Sequence, residues 1–500
     1  MPARPRRRLA ASPIRTPLAV ALLLVVAGSV LIVRWRMTAL ERFAQPAEVL
    51  ELIEERFVRK PDTQALTRAA IVGMLEELGD PNSVYVPPAR AEQFNRSLSG
   101  DYVGIGVYIA DREGAVEVVT PIAGSPAARA GVRPGDRIVA VAGEPTEGLA
   151  ADALAERIAG PSGQDVTLTI EREGERLDLT ITRGEVRTES VKGLRRLEGD
   201  DAWSHALDPE RGIAYVRITQ FVAGTVEGVR QALATASRQM PQLQGLVLDL
   251  RGNPGGIIDQ AVGVADLFVG SGDLVRTRDR RGVIQAFAAA PEVAFAGPVV
   301  VLIDGASASG AEIVAGALTE LVDAAAVGTR TFGKASVQTV YTLPDGGTLK
   351  LTEATYTLPS GRDIQRMEGE GRWGVDPSAG MHVPVPEDDA PRLARLYAQL
   401  DLVGAGSEDP PLPEEAWDSP QSLLDALGDP QLRAAHTALV GQLENGDWPR
   451  VGGDPIAGQD ALRLERARRA LAQLRQRERE LVEEVAQLRA REPADSAPSP

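Results

Sequence analysis

The chain has 500 residues, 43% of them hydrophobic, enough to build two or more cored domains, and carries a formal net charge of −16. That acidic balance argues against a nucleic-acid partner. The absence of cysteine excludes disulfides and thiol catalysis but identifies no compartment, since exported proteins often lack disulfides.

Arg4, Arg6, Arg7, Arg8 and Arg15 precede an uncharged stretch from Thr16 to Val33, rich in Leu, Val and Ala. A run of about 18 residues is near the lower limit for a membrane span and longer than an ordinary signal-peptide core. Residues 1–40 are therefore expected to anchor the chain by a single pass in an inner or plasma membrane, with the arginines on the cytoplasmic side and the remainder outside, in the periplasm. Arg34 and Arg36 oppose that orientation. Ala27 and Ser29 offer a cleavage site, so export after removal of a signal peptide is the alternative.

Residues 41–99 read as helices. Val49, Leu50, Ile53 and Phe57, then Leu66, Ala70, Met74, Leu75 and Leu78, recur at helical spacing, and GDPNSVYVPP stops the second helix.

From Asp101 to Arg183 come alternating strands, one short helix in ADALAERIAG, and alternating strands again. The phrase SPAARAGVRPGDRIVAVAG resembles the most recognisable stretch of PDZ domains, and residues 100–184 are expected to form one. In such domains a glycine-containing loop binds a peptide's terminal carboxylate through backbone N–H groups, and an edge strand accepts the peptide by β-augmentation. The resemblance places these roles on Gly104, Ile105, Gly106 and Val107. A lone G-x-G could also be a strand kink, and no third glycine follows at nucleotide-binding spacing.

GIAYVRITQF then reads as a strand and Thr225–Ser237 as a helix leading to GLVLDLRGNPGG. There, Leu246 to Leu248 form a buried strand ending in Asp249, Arg251 and a turn. Gly255 and Gly256 leave that turn's backbone bare, so that an N–H can face a reacting oxygen. A second buried strand, Val299–Ile303, breaks at Asp304-Gly305 before a helix over roughly Ala311–Leu321. Ser309 thus sits at a strand-to-helix junction, where first-turn N–H groups and the helix dipole favour developing negative charge.

Lys334 follows Ser309 by twenty-five residues and Gln338 follows by four more. A serine hydroxyl needs a base, and the usual one is scarce: the only histidines are His205, His382 and His436. A lysine in an apolar, glycine-rich context serves if burial keeps its amine neutral. Taken singly, Ser309 is an ordinary N-cap, Lys334 a solvated turn residue and Gln338 the polar face of a strand. Their joint occurrence, in order, with the NPGG turn favours catalysis.

The blocks DLRGNPGG, SASGAEIVAGAL, GTRTFGKASVQT and TEATYTLPSGRDIQ resemble those of the carboxyl-terminal processing, or tail-specific, serine proteases, over residues 45 to 385. The resemblance implies a multidomain α/β (α+β) protein with a peptidase core related to the crotonase and Clp-protease folds, at residues 185–386, and no cofactor or metal. It places the nucleophile on Ser309, the general base on Lys334, a lysine-orienting glutamine on Gln338, and the oxyanion hole on the N–H groups of Gly255 and Gly310. It also implies substrates that are proteins or peptides with free, apolar carboxyl termini. Gly310 stands where the family usually has alanine, and Ala311 replaces a serine. GRWGVDPSAGMHVPVP departs from the family's usual ending, leaving the closing strand's register open and His382 a structural residue. Family members carry a helical segment like residues 41–99, in some cases for dimer contact, and a packing subdomain fits it equally.

The last hundred residues match no known pattern. EDPPLPEEAWDSP reads as a linker, residues 420–445 as short helices, and together 387–459 as linker and short helices. Leu464, Ala467, Leu471, Leu474, Glu478, Leu481, Val485 and Leu488 predict an amphipathic helix or short coiled coil over 460–490, packing on its own domain or joining two subunits. Residues 491–500 are expected to be disordered. Two rival functions are a catalytically silent PDZ scaffold, which the presence of all three catalytic residue types opposes, and a PDZ protease with a Ser-His-Asp triad, opposed by Pro254 where a nucleophilic serine would stand. No activating partner can be read from the sequence.

Overall fold

The computed structural model describes residues 43–454 except 113–114, 123, 173, 188, 198–202, 368–370 and 403–410, and beyond them the isolated helical positions 471, 474, 475, 477 and 479. The expected anchor at 16–33 lies outside the described residues, as does most of the helix expected over 460–490 and all of the 491–500 tail. Among the described residues no helix is long and apolar enough to cross a membrane.

The chain divides into two compact units, residues 1–87 and 88–500. The first holds the two expected helices, α1 (43–56) and α2 (Thr63–Glu76), and a short strand, Val84–Val86. Asp62 caps α2 by accepting from the Ala65 N–H at 3.0 Å. The GDPNS phrase ends it as expected: Asp80 accepts from the Asn82 N–H and the Ser83 hydroxyl, closing a tight turn.

The second unit opens with α3 (Pro88–Ser99) and continues into the module expected to be a PDZ domain. Its strands are β1 (Asp101–Gly104), β2 (Val107–Arg112), β3 (Ala115–Pro121), β4 (Arg137–Val141), β5 (Asp165–Arg172), β6 (Glu175–Thr182) and β7 (Gly184–Arg187); its helices are α4 (Pro126–Arg129) and α5 (Ala151–Ile158). Strands β2 to β6 form one antiparallel sheet in chain order. Alternation turns Val166, Leu168 and Ile170 of β5 inward, where they meet Val116, Val118, Ile138 and Leu154 in a core of the module's own. Strands β1 and β7 pair antiparallel, Asp101 opposite Arg187. The chain therefore enters and leaves the module side by side.

The part of the chain that follows is built on four parallel strands, β8 (Ile213–Ile218), β9 (Gly245–Asp249), β12 (Val299–Ile303) and β13 (Ala325–Gly328), neighbours in that order. Helices α6 (Thr225–Gln239), α7 (Ile258–Asp266) and α8 (Gly310–Leu321) pack on one face through Ala214, Val216, Leu246, Leu248, Val299 and Val301. The intervening residues Ile213, Tyr215, Val247, Val300 and Leu302 point the other way and are also apolar. A parallel sheet with two apolar faces requires two covers. The second is the carboxyl-terminal helical layer, α9 (Ala390–Leu402), α10 (Pro420–Leu427) and α11 (Pro430–Asn445). The stretch expected as linker is part of that cover: Leu412 and Ala416 are buried in it and Glu414–Trp417 forms a 3-10 turn. Its proline and acidic content hid these two apolar anchors.

A separate antiparallel sheet runs β14 (Ser336–Thr342), β15 (Thr348–Thr357), β10 (Asp273–Asp279), β11 (Ile284–Ala288). The GRWGVDPSAG segment is no strand but a loop stitched to the core, the Val375 N–H donating to Thr331 Oγ1 at 2.7 Å and the Ser378 N–H to the Ala326 carbonyl at 2.8 Å. His382 is buried at 4% exposure, and burial lowers its pKa, so it is neutral at physiological pH.

Candidate active site

Two loops meet at the carboxyl ends of β9 and β12. In the first, Arg251 to Gly256, the Asn253 side chain is wholly buried; it donates to the Ile218 carbonyl at 2.9 Å and accepts from the Gly255 N–H at 2.8 Å. In the second, Asp304 to Ser309, one Asp304 oxygen accepts from the Gly252, Ala306 and Ser307 N–H groups at 2.9–3.0 Å. The Ser307 hydroxyl donates back to the Leu250 carbonyl and the Ala308 N–H to the Asn253 carbonyl. Small and turn-forming residues make this possible, since the loops run close enough to share backbone hydrogen bonds.

The close approach has a steric requirement at Gly255. Its φ is +98°, and a Cβ there would lie 2.7 Å from Ser309 Cβ and 2.9 Å from both the Ala308 oxygen and the Gly310 nitrogen. Gly255, Ser309 and Gly310 are thus brought together. Ser309 itself has φ +53° and ψ −112°, a strained backbone for a residue with a side chain, at a cost of order 1–3 kcal/mol. It occupies the N-cap position of α8 and is 9% exposed. Such a sharp strand-to-helix turn lifts a side chain out of the fold toward a reactant.

Lys334 is tied to the same place by its main chain. Glu312, in the first turn of α8 and fully buried, accepts the Ser309 N–H (2.9 Å) and the Lys334 N–H (2.8 Å) on one oxygen. Its other oxygen takes the Gly333 N–H (2.7 Å) and the Thr331 hydroxyl (2.5 Å). Burial pushes the Glu312 carboxyl above its ordinary range, and these four hydrogen bonds hold the rise back. The Tyr356 hydroxyl, also fully buried, lies 2.7 Å from the Lys334 carbonyl and 3.0 Å from that of Ser309. One carboxylate and one phenol therefore hold both residues by their backbones.

Gln338 stands on β14 at a bulge in its pairing with β15; its amide donates to Ser336 Oγ and Thr352 Oγ1. Gly104, Ile105, Gly106 and Val107 form the bend from β1 to β2 in the PDZ module. Ala127 donates to the Ile105 carbonyl, and Ile122 and the Ser125 hydroxyl to that of Gly106. The carbonyls of this bend thus point into the module.

Family models match in three places: peptidase family S41 over residues 212–379, a PDZ domain over 117–172, and the N-terminal domain of the activating protease CtpB over 34–88. A carboxy-terminal-processing protease of Bartonella bacilliformis is 37% identical over 353 residues, 69% of this chain and 76% of the relative. The chain belongs to peptidase family S41. It is a carboxy-terminal processing serine protease with a PDZ domain, as the sequence blocks led one to expect. The carboxy-terminal processing protease CtpA of Bacillus subtilis is 32% identical over 345 residues, 69% of this chain and 70% of that one. Among solved structures, a photosystem II D1 C-terminal processing protease is 30% identical, with 72% and 92% of the two chains covered and a TM-score of 0.40.

For this S41 protease, sequence reasoning missed Glu312, Tyr356 and Asn253 as parts of the site. Glu312 had a legible signal: a serine followed three positions later by glutamate at a helix start is a capping box. Tyr356 had none, because only the folded sheet brings β15 beneath the serine.

Proposed function

We propose that the protein is an endopeptidase in which Ser309 is the nucleophile and Lys334 its general base. The reading is supported above all by the shared Glu312 carboxylate, which binds the N–H groups of both residues and so fixes their loops side by side. Neutral Lys334 takes the Ser309 proton as Oγ attacks a peptide carbonyl carbon, and the resulting ammonium returns that proton to the departing amine. Water then repeats the cycle on the acyl-enzyme. The oxyanion is received by the N–H groups of Gly310 and Gly255. The Gly255 N–H is held by Asn253 in the resting structure, so it exchanges that partner for the substrate oxygen. Gln338 orients the lysine by accepting from its amine on Oε1, while its amide nitrogen stays bound to Ser336 and Thr352.

The PDZ bend at Gly104–Val107 is proposed to dock the free, apolar carboxyl terminus of a protein or peptide substrate. This selects tails and gives an unaided peptidase its restraint. The arginine-flanked apolar segment at Thr16–Val33 supports an extracytoplasmic site of action, by anchor or by signal.

The test is turnover of a peptide with an apolar carboxyl terminus, together with labelling by a fluorophosphonate. Ser309→Ala should lose both, and Lys334→Ala and Lys334→Arg should lose turnover while retaining the wild-type melting profile. Peptidase activity surviving in a folded Lys334→Ala enzyme excludes the lysine as base.

A further inference from the structure

The carboxyl-terminal layer does more than cover the sheet, because it grips the turn that carries Gly255. Arg251, two residues past the end of β9, reaches out of that turn and is 12% exposed. Its guanidinium binds Asp249 through Nε (2.9 Å) and a terminal nitrogen (2.6 Å). The other terminal nitrogen binds both oxygens of Asp429, at 2.8 and 3.1 Å, and the Gln431 side-chain oxygen at 3.1 Å. Asp429 is fully buried, caps the start of α11 through the N–H groups of Gln431 and Leu432, and receives the Tyr397 hydroxyl of α9 at 2.7 Å. On the far side, the Tyr215 hydroxyl donates to Asp249 at 2.7 Å. Four side chains, Asp249, Asp429, Gln431 and Tyr397, thus converge on one arginine, and Tyr215 of β8 backs Asp249.

Packing does not hold this side of the turn. A cavity of about 770 Å³ opens between α9 and the loops, and Arg251, Gly252, Asp304 and Tyr397 all line it. Where apolar contacts are interrupted, directional charge-assisted hydrogen bonds set position. From Arg251 the path to the candidate site is short: Gly252 binds Asp304, the Asn253 carbonyl receives Ala308, and the Asn253 side chain receives Gly255.

We propose that Asp429 and Tyr397 are positioning residues for the peptidase reaction, holding Arg251 and through it the turn whose Gly255 faces Ser309. This rests on the function proposed above and gives the carboxyl-terminal layer a role in the chemical step. Burial raises the Asp429 carboxyl, and Arg251, the α11 N–H groups and Tyr397 more than offset it, so the residue is ionised under working conditions.

A misplaced oxyanion donor lowers the rate of acylation while leaving ground-state binding alone. Asp429→Asn should therefore cut kcat by about 10- to 100-fold with little change in KM, and reduce the rate constant for fluorophosphonate labelling in parallel. Tyr397→Phe should show the same pattern more weakly. Leu424→Ala, in the core of the same layer and making no hydrogen bond to Arg251 through its side chain, serves as the control: it lowers the melting temperature and leaves kcat unchanged where the protein is folded. Wild-type kcat in both Asp429→Asn and Tyr397→Phe, or an equal loss of kcat in Leu424→Ala, overturns the proposal. Wild type and Ser309→Ala are assayed alongside; activity surviving in Ser309→Ala overturns the nucleophile assignment on which the proposal rests, whereas equal rates in wild type and in the Asp429 and Tyr397 variants overturn only the positioning role.

Discussion

Glu312 is where the demands of folding and of chemistry coincide. A carboxylate has no hydrogen to donate and can accept four hydrogen bonds, which is the number offered by Ser309, Lys334, Gly333 and Thr331. A glutamine of nearly the same shape cannot replace it, because its NH2 group would face N–H or O–H donors on one side. Glu312→Gln should leave at least one buried donor unsatisfied, at about 1–3 kcal/mol each, and should depress turnover more than Tyr356→Phe, which removes a single hydroxyl. Urea unfolding and steady-state kinetics on the two variants measure the two effects. A Glu312→Gln enzyme that is less stable yet turns over at the wild-type rate would reduce the clamp to a structural feature. At this scale the sequence displays chemistry but not arrangement. Ser309, Lys334 and Gln338 stand out as residue types in a motif, whereas the carboxylate that joins two of them is recognised only once α8 and the 331–334 loop are adjacent.

Among elements, local pattern sufficed where local forces decide. The strand expected at Val299–Ile303 has those bounds, the helix expected from Thr225 runs to Gln239, and the helix expected near Ala311 begins at Gly310. The short helices expected over 420–445 are α10 and α11, but their role as a cover was not legible, because the sheet face they meet lies about 60 to 230 residues earlier in the chain, and α9 carries charged residues that disguise Leu393, Leu396 and Leu400 as loop. How α11 is fastened leads to a prediction about acid. Its N-cap Asp429 is buried, yet its folded pKa is held below the ordinary value of 3.8 by Arg251 and its hydrogen bonds. A carboxyl depressed in the folded state contributes its full stability above the unfolded value and loses it as pH falls through the folded one. Removing one member of a buried ion pair costs about 3–5 kcal/mol. Asp429→Ala should therefore be less stable than wild type by roughly that amount at neutral pH, and the gap should narrow steadily below about pH 4. Denaturant titrations at pH 7 and pH 3 compare the two proteins, and a gap of constant size at both would mean that the Asp429 charge contributes nothing.

The whole chain combines two kinds of dependence. The parallel sheet cannot stand without both covers, since Val247, Val300 and Leu302 would face water once α9 to α11 were gone. The PDZ module is different: its core of Val116, Val118, Ile138, Leu154, Leu168 and Ile170 is complete in itself, and the chain enters and leaves through the paired strands β1 and β7. Because Asp101 and Arg187 are opposite each other, a few glycine and serine residues can close the gap left by excising the segment between them. The excised protein should fold, should still react with a fluorophosphonate at Ser309, and should cleave a peptide equally well whether its apolar carboxyl terminus is free or amidated. On the docking role proposed for the Gly104–Val107 bend, the intact protein should prefer the free form, because only there do the bend's backbone N–H groups have a carboxylate to bind. Comparing kcat/KM for the free and amidated peptides in both proteins decides the matter. A preference that persists after excision would place tail recognition in the catalytic part, and the PDZ module would then need another occupant.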